Sequence, residues 1–161
     1  MKLWLNSYPE GIPENIAIDD YTSVAEVFDQ SVEKYSELPA FSNFGKTLTY
    51  GETKNYTDQL GAYLKNDLGL KKGDRVAVMM PNLLQNPIAI FAILRAGLVV
   101  VNTNPLYTAR ELQHQLNDSG AETIIIVENF CSVLEKVVDE TAVKNIIITR
   151  MGDMLPFPKS T

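Results

Sequence analysis

The sequence has one cysteine, Cys131, and one histidine, His114. A single thiol excludes an internal disulfide framework and any multi-cysteine zinc site. A single imidazole excludes a His-based metal cluster and any triad that needs a second histidine. No basic stretch is present that could face phosphates, which excludes a nucleic-acid binder and a polybasic membrane anchor. Long apolar runs are missing too. The longest, Ile88–Leu94, is closed by Arg95, far short of the roughly 20 residues that span a bilayer. Residues 1–7 have too short an apolar run for a signal peptide. The compartment expected from these features is the cytosol, where the sequon Asn55-Tyr56-Thr57 is a chance match.

The usual phosphate-binding and nucleophile signatures are absent as well. There is no Gly-x-Gly-x-x-Gly and no Gly-x-Ser-x-Gly elbow. Gly45-Lys46-Thr47 resembles the end of a P-loop, but the first glycine of that motif would fall on Ala40, and the segment reads as a hairpin. Met79-Met80-Pro81-Asn82 lacks the acidic residues of a phosphoryl receiver.

What is present is an ordinary globular composition, 45% hydrophobic and 21% charged over 161 residues. That length suffices for one domain with a sizeable core. The net charge of −6 is uneven. Residues 1–38 hold eight acids and two bases (2 − 8 = −6), and the other twelve acids balance twelve bases. The expected partner of this acidic segment is a basic face on another subunit or on further parts of the protein.

Residues 1–20, with Pro9, Gly11 and Pro13, read as an extended leader anchored by Trp4, Leu5 and Tyr8. Ser23–Glu26 fits a capping box that opens a helix with Val24, Phe28, Val32 and Tyr35 on one face. Pro39 stops it. Strands 40–43 and 47–50 follow around a Gly45-Lys46 turn. A second box at Thr49–Glu52 opens a helix to about Leu68, with Tyr56, Leu60, Tyr63 and Leu64 as its apolar side and Gly69 as its end. Lys71-Lys72-Gly73-Asp74 is a solvated turn.

From residue 75 the pattern changes to strands and helices in alternation. Strands are expected at 75–80, 98–101, 123–127 and 145–149. Helices are expected at 84–96, at 108–118 after a third box, and at 130–138. Such an order specifies an open parallel sheet with right-handed crossovers. The expected fold class is therefore α/β: an open, mainly parallel sheet with flanking helices, preceded by an N-terminal helix and a β-hairpin.

Open α/β sheets bind ligands beyond the carboxyl ends of their strands. Those ends read Pro81-Asn82, Asn102-Thr103-Asn104, Glu128-Asn129 and Arg150. The simpler reading makes Asn82 and Asn129 helix caps and Asn104-Pro105 a turn. His114 lies about 200° from the Leu112/Leu116 side of its helix, so it is expected in solvent. Cys131, near a helix start, is expected to be buried as a small apolar residue. Arg95 complements the carboxyl end of its helix. Residues alone thus indicate a module with a crevice and no assembled active site.

Leu48-Thr49-Tyr50, the segment from Leu70 to Asn82, and Leu94-Arg95-Ala96-Gly97 together resemble the start of adenylate-forming acyl-CoA synthetases. The segment Val101–Leu112, the opening Trp4–Pro9 and Glu135–Asp139 narrow this to the bacterial long-chain fatty-acid–CoA ligases, and the resemblance covers essentially the whole chain. It implies a parent enzyme that makes acyl-CoA from fatty acid, ATP with Mg²⁺, and CoA through an acyl-adenylate. It also implies a Ser/Thr/Gly-rich phosphate loop ending in Lys, an aromatic-Gly-Thr-Glu segment and a Lys in a mobile domain. None of these occurs here, so no catalytic residue is carried over, and neither cofactor nor metal is expected on this chain.

The chain is accordingly expected to be an N-terminal scaffold fragment, inactive alone. Residues 21–150 would belong to the large synthetase domain, with the parallel core at about 75–149. The tail, 151–161, would stop before the phosphate loop. Asn82, Asn104, Tyr107 and Arg110 are the candidates for a wall of the acyl or CoA channel. The rest of the enzyme is the covering partner, a homodimer is a further expectation, and peripheral contact with the inner membrane is one for the parent. The competing readings are a stand-alone flavodoxin-like nucleotide-binding module and a self-association module.

Overall fold

The computed structural model describes residues 2–17 and 20–156. Its elements run α1 (Val24–Tyr35), β1 (Pro39–Asn43), β2 (Lys46–Thr49), α2 (Tyr50–Asn66), β3 (Arg75–Met79), α3 (Gln85–Arg95), β4 (Val99–Asn102), α4 (Ala109–Ser119), β5 (Thr123–Val127), α5 (Cys131–Glu135) and β6 (Asn145–Thr149). β1 and β2 form an antiparallel hairpin, and the other four strands form a parallel sheet in the order β4-β3-β5-β6.

Strand alternation splits this sheet into two cores. Val76, Val78, Met80, Ile125 and Val127 point to one face and pack with Leu64 of α2 and Ala89 and Ile93 of α3. Ala77, Met79, Ile124 and Ile126 point to the other, under Leu112 and Leu116 of α4 and Leu134 of α5. Because β3 and β5 are covered on both sides, their sequences are continuous apolar runs and not alternating ones. The connection through α3 steps outward to β4, and the one through α4 returns across β3 to β5. Right-handed crossovers in opposite directions place the two helices on opposite faces.

Capping residues set the helix starts. Thr49 and Thr108 each make both halves of a capping box, with Glu52 and Glu111. The box expected at Ser23 is half made. Ser23 accepts from the Glu26 N–H, but the Glu26 carboxylate reaches back to Thr22. Gly120 ends α4 in the left-handed region, with φ of 63°, where a side chain would be strained.

Four expectations need correction. The leader is not extended throughout: Leu3–Ser7 form a 3-10 helix, and of the expected anchors Trp4 and Tyr8 are exposed while Leu5 is half-buried. The helix expected over 130–138 is broken into a 3-10 turn at Glu128–Phe130, the short α5 and a second 3-10 turn at Val138–Glu140. The hairpin turns at Phe44-Gly45, both with positive φ, one residue earlier than expected. The buried side of α2 is Thr53, Thr57 and Leu64, whereas Tyr56 and Tyr63 are exposed. Small residues on that side let α2 lie close to α3: a Cβ on Gly61 would stand 3.4 Å from the Ala92 carbonyl oxygen.

α1 is held outside α2 and α3 by two contacts. Phe28 stacks on Phe91 with ring centroids 4.1 Å apart. Arg95, in the last turn of α3 as expected, turns its guanidinium onto Asp29 of α1 (2.8 Å) and Asp58 of α2. Part of the acidic N-terminal segment is thereby neutralised within the chain.

Candidate functional site

The carboxyl ends of the sheet strands are the place to look for a site, and most of their polar groups are already engaged. After β4, the Thr103 N–H donates to the Val78 carbonyl at 3.0 Å, and the Gln115 amide donates to the Asn102 carbonyl at 3.0 Å. Asn104 turns the chain: its side-chain oxygen accepts from the Leu106 N–H at 3.0 Å and its carbonyl from the Tyr107 N–H at 3.1 Å. The turn expected at Asn104-Pro105 is present. At the end of β6, Arg150 pairs with Glu128 at 3.2 Å, and the Gln85 amide donates to the Arg150 carbonyl at 2.7 Å.

The two expected Asn caps are not caps. α3 begins at Gln85 behind Leu84, with no side-chain cap, and Asn82 lies upstream in the bend that leaves β3. Pro81 and the close Leu83 N–H to Pro81 carbonyl contact, 2.8 Å, set that bend. Asn129 sits inside a 3-10 turn, and α5 starts behind Phe130 without a side-chain cap. In both cases the chain leaves the strand through a tight turn, so the helix starts later than the Asn.

The candidates Asn82, Asn104, Tyr107 and Arg110 do not converge. Asn82 borders a groove of about 420 Å³ between the hairpin and α3, with an apolar floor of Phe41, Leu83, Pro87, Ile90 and Phe91. Asn43 holds the hairpin there, its side-chain amide donating to the Asn82 carbonyl at 3.1 Å. Sequence reasoning missed the hairpin side of this groove, because the contact joins residues 39 positions apart. Tyr107 and Arg110 border a separate, open hollow of about 700 Å³ along α4, with Glu111 and His114. Tyr107 packs its ring against the α4-side core, and Arg110 is exposed.

His114 is exposed, as expected. Cys131 is half-buried, and burial, then the charge of Glu128, pushes its thiol up. Such a thiol is a poor nucleophile at neutral pH. The Glu111 carboxyl lies below its usual range because the Thr108 N–H and then the Thr108 hydroxyl donate to it. Among the described residues no three His, Cys, Asp or Glu side chains gather to hold a metal. No helix among them is long and apolar enough to cross a membrane.

Residues 28–160 match the family model of the AMP-binding enzymes. This chain belongs to that family. It is similar to the long-chain-fatty-acid–CoA ligases of Escherichia coli O6:H1, 58% identical over 160 residues, and of Bacillus subtilis, 38% identical over 159. Each alignment covers 99% of this chain and 28% of the relative, so the chain spans a little over a quarter of their length. Among solved structures, a long-chain-fatty-acid–CoA ligase from Archaeoglobus fulgidus superposes with a TM-score of 0.72 at 26% identity, covering 81% of this chain and 29% of that one. An anthranilate–CoA ligase bound to anthranoyl-AMP shares the fold, with a TM-score of 0.75 at 20% identity, over 80% of this chain and 25% of its own. The α/β class and the parallel sheet expected from the sequence agree with these neighbours.

Proposed function

We propose that this chain is the N-terminal framework of a long-chain fatty-acid–CoA ligase. The observation that carries the reading is 58% identity along 99% of the chain with a ligase of that name. The whole enzyme would join a fatty acid to CoA through an acyl-adenylate, using ATP and Mg²⁺, in the cytosol. The residues present do not fit Mg²⁺–ATP. The sequence has no Ser/Thr/Gly-rich loop ending in Lys, and Arg150 at the strand ends is already paired with Glu128. Phosphate chemistry is therefore assigned to other parts of the enzyme, and this chain alone is inactive.

What the framework contributes is a rigid parallel sheet and one wall. Of the four wall candidates, Asn82 borders a groove with an apolar floor, which suits an acyl chain or the pantetheine arm of CoA. Asn104 is committed to its turn. Tyr107 and Arg110 face a different hollow.

The test is fatty-acid-dependent ATP–pyrophosphate exchange, run on this chain and on a longer ligase that contains it. Exchange by the longer protein and none by the chain is the expected result. Exchange by the chain alone would refute the assignment of the phosphate loop to other parts of the enzyme.

A further inference from the structure

α3 starts without a side-chain cap, so no capping residue fixes its first turn. Gln85, the first residue of the helix, is tied instead to the far end of β6. Its side-chain amide donates to the Arg150 carbonyl at 2.7 Å and to the Thr149 hydroxyl oxygen at 3.2 Å. A carbonyl can only accept, so the amide nitrogen must face β6. The Thr149 hydroxyl in turn donates to the Asp153 carboxylate at 3.0 Å, and the Arg150 N–H donates to the same oxygen at 2.8 Å. Met154, in that turn, packs with Leu84 and Ile88 at the start of α3 and with Leu48 of the hairpin. The exit of β6, the start of α3 and the hairpin are thereby one unit. Leu84 and Asn86, on either side of Gln85, line the groove beside Asn82, whereas Gln85 itself is outside that lining.

We propose that Gln85 is a positioning residue of the ligase: by holding the start of α3 against the exit of β6, it shapes the groove for an extended, largely apolar chain. The proposal rests on the reading of that groove as a ligand wall. What Gln85 supplies is donation in one direction, toward an oxygen that can only accept. Without the donor, the start of α3 is released from β6, and Leu84 and Asn86 lose their fixed place along the bound chain. The charged groups near this contact are Asp153 and Arg150 of the turn and Glu128 after β5, with Arg150 and Glu128 paired at 3.2 Å. An acceptor at position 85 would face both the Arg150 carbonyl and the Asp153 carboxylate.

Gln85→Glu and Gln85→Lys test this. Glutamate has the size of glutamine and, as an anion in the first turn of α3, favours the helix, so its effects are not those of a lost fold. It cannot donate when ionised. Lysine restores a donor that reaches the carbonyl. In this chain, Gln85→Glu should speed amide hydrogen exchange at Arg150 and Asp153 on the order of tenfold, and Gln85→Lys much less. In a longer ligase that contains the chain, Gln85→Glu should raise one KM, for fatty acid or for CoA, on the order of tenfold and leave the KM for ATP in place. A rise for fatty acid assigns the groove to the acyl chain, and a rise for CoA assigns it to the pantetheine arm. Gln85→Lys should recover most of that loss. A longer protein without ligase activity overturns the framework reading, and this proposal with it. An active ligase in which Gln85→Glu moves neither KM, or in which Gln85→Lys loses as much as Gln85→Glu, overturns the role of Gln85 alone. So does unchanged exchange at Arg150 and Asp153.

Discussion

Arg95 is the cation through which α1, α2 and α3 meet, and replacing it has a cost that can be worked out in parts. Its side chain is 21% exposed, whereas Asp29 and Asp58 are 47% and 42% exposed. Carboxylates that wet are screened, so each pair contributes about 0.2–1 kcal/mol, or about 1 kcal/mol for the two. The methylene stem lies against the helix junction and contributes about 1 kcal/mol more through burial. Arg95→Ala therefore costs about 2 kcal/mol, and a chain of this size loses roughly 2–4 °C of melting temperature per kcal/mol. Arg95→Met keeps the stem and costs about 1 kcal/mol, the charge part alone. Arg95→Lys keeps the charge but loses the planar, pre-organised guanidinium fork that meets both carboxylates, so it recovers only part of the charge contribution. The assay is urea unfolding of the three variants at low and at high salt. The Arg95→Met deficit should shrink in high salt, while the packing part of the Arg95→Ala deficit persists. If Arg95→Met matches the parent chain at low salt, or if its deficit ignores salt, the two ion pairs do not hold α1 in place.

Three further outcomes follow from local chemistry. Thr49→Ala removes a complete capping box at the start of α2 and should cost about 1 kcal/mol in urea unfolding. Asp58 is pushed up by desolvation, but the Lys54 and Arg95 contacts outweigh this and leave its carboxyl below the usual range; Glu26 is lowered by the Thr22 hydroxyl and N–H, and Glu111 by the Thr108 N–H and hydroxyl. Groups lowered on folding add stability that is present above the ordinary carboxylate range and lost as pH falls through their folded values, so stability should drop below about pH 4, and a flat acid limb would contradict it. The Cys131 thiol is pushed up by burial and by Glu128, so its reaction with a disulfide reagent at neutral pH should be slower than that of a free thiol and should accelerate on unfolding.

Much of the fold was legible because it rests on local signals. β5 and β6 fall where the apolar runs and their flanking turns put them, and the boxes at Thr49 and Thr108 form in full. The misses have a different origin. Thr53 and Thr57 form the buried side of α2 because a close approach to α3 favours small residues over the larger tyrosines, a tertiary demand that helical spacing does not carry. The long helix expected after β5 breaks because Glu128–Phe130 tighten into a 3-10 turn as the chain leaves the sheet. Strand order was not legible either. Alternation specifies parallel crossovers but leaves open on which side of β3 each new strand lies.

The candidate site shows the same division more sharply. The four wall candidates belong to strand ends and the first turn after them, yet a strand end is also where the chain must turn, and turning consumes polar groups. Asn104 gives both its side-chain and its main-chain oxygen to the turn, and Arg150 gives its charge to Glu128. Asn82 differs because the bend after β3 is made by Pro81 and by backbone contacts, so its side chain is not needed for the turn. The hairpin then supplies the opposite side of the groove through Asn43, an element outside the parallel sheet altogether. The wall proposed at this end of the sheet thus lies where a separate element leans over a strand end whose turn is already satisfied. By that criterion, Asn82→Ala in a longer ligase should change the KM for fatty acid or CoA, whereas Asn104→Ala should act through stability. A KM effect confined to Asn104→Ala would reverse the assignment.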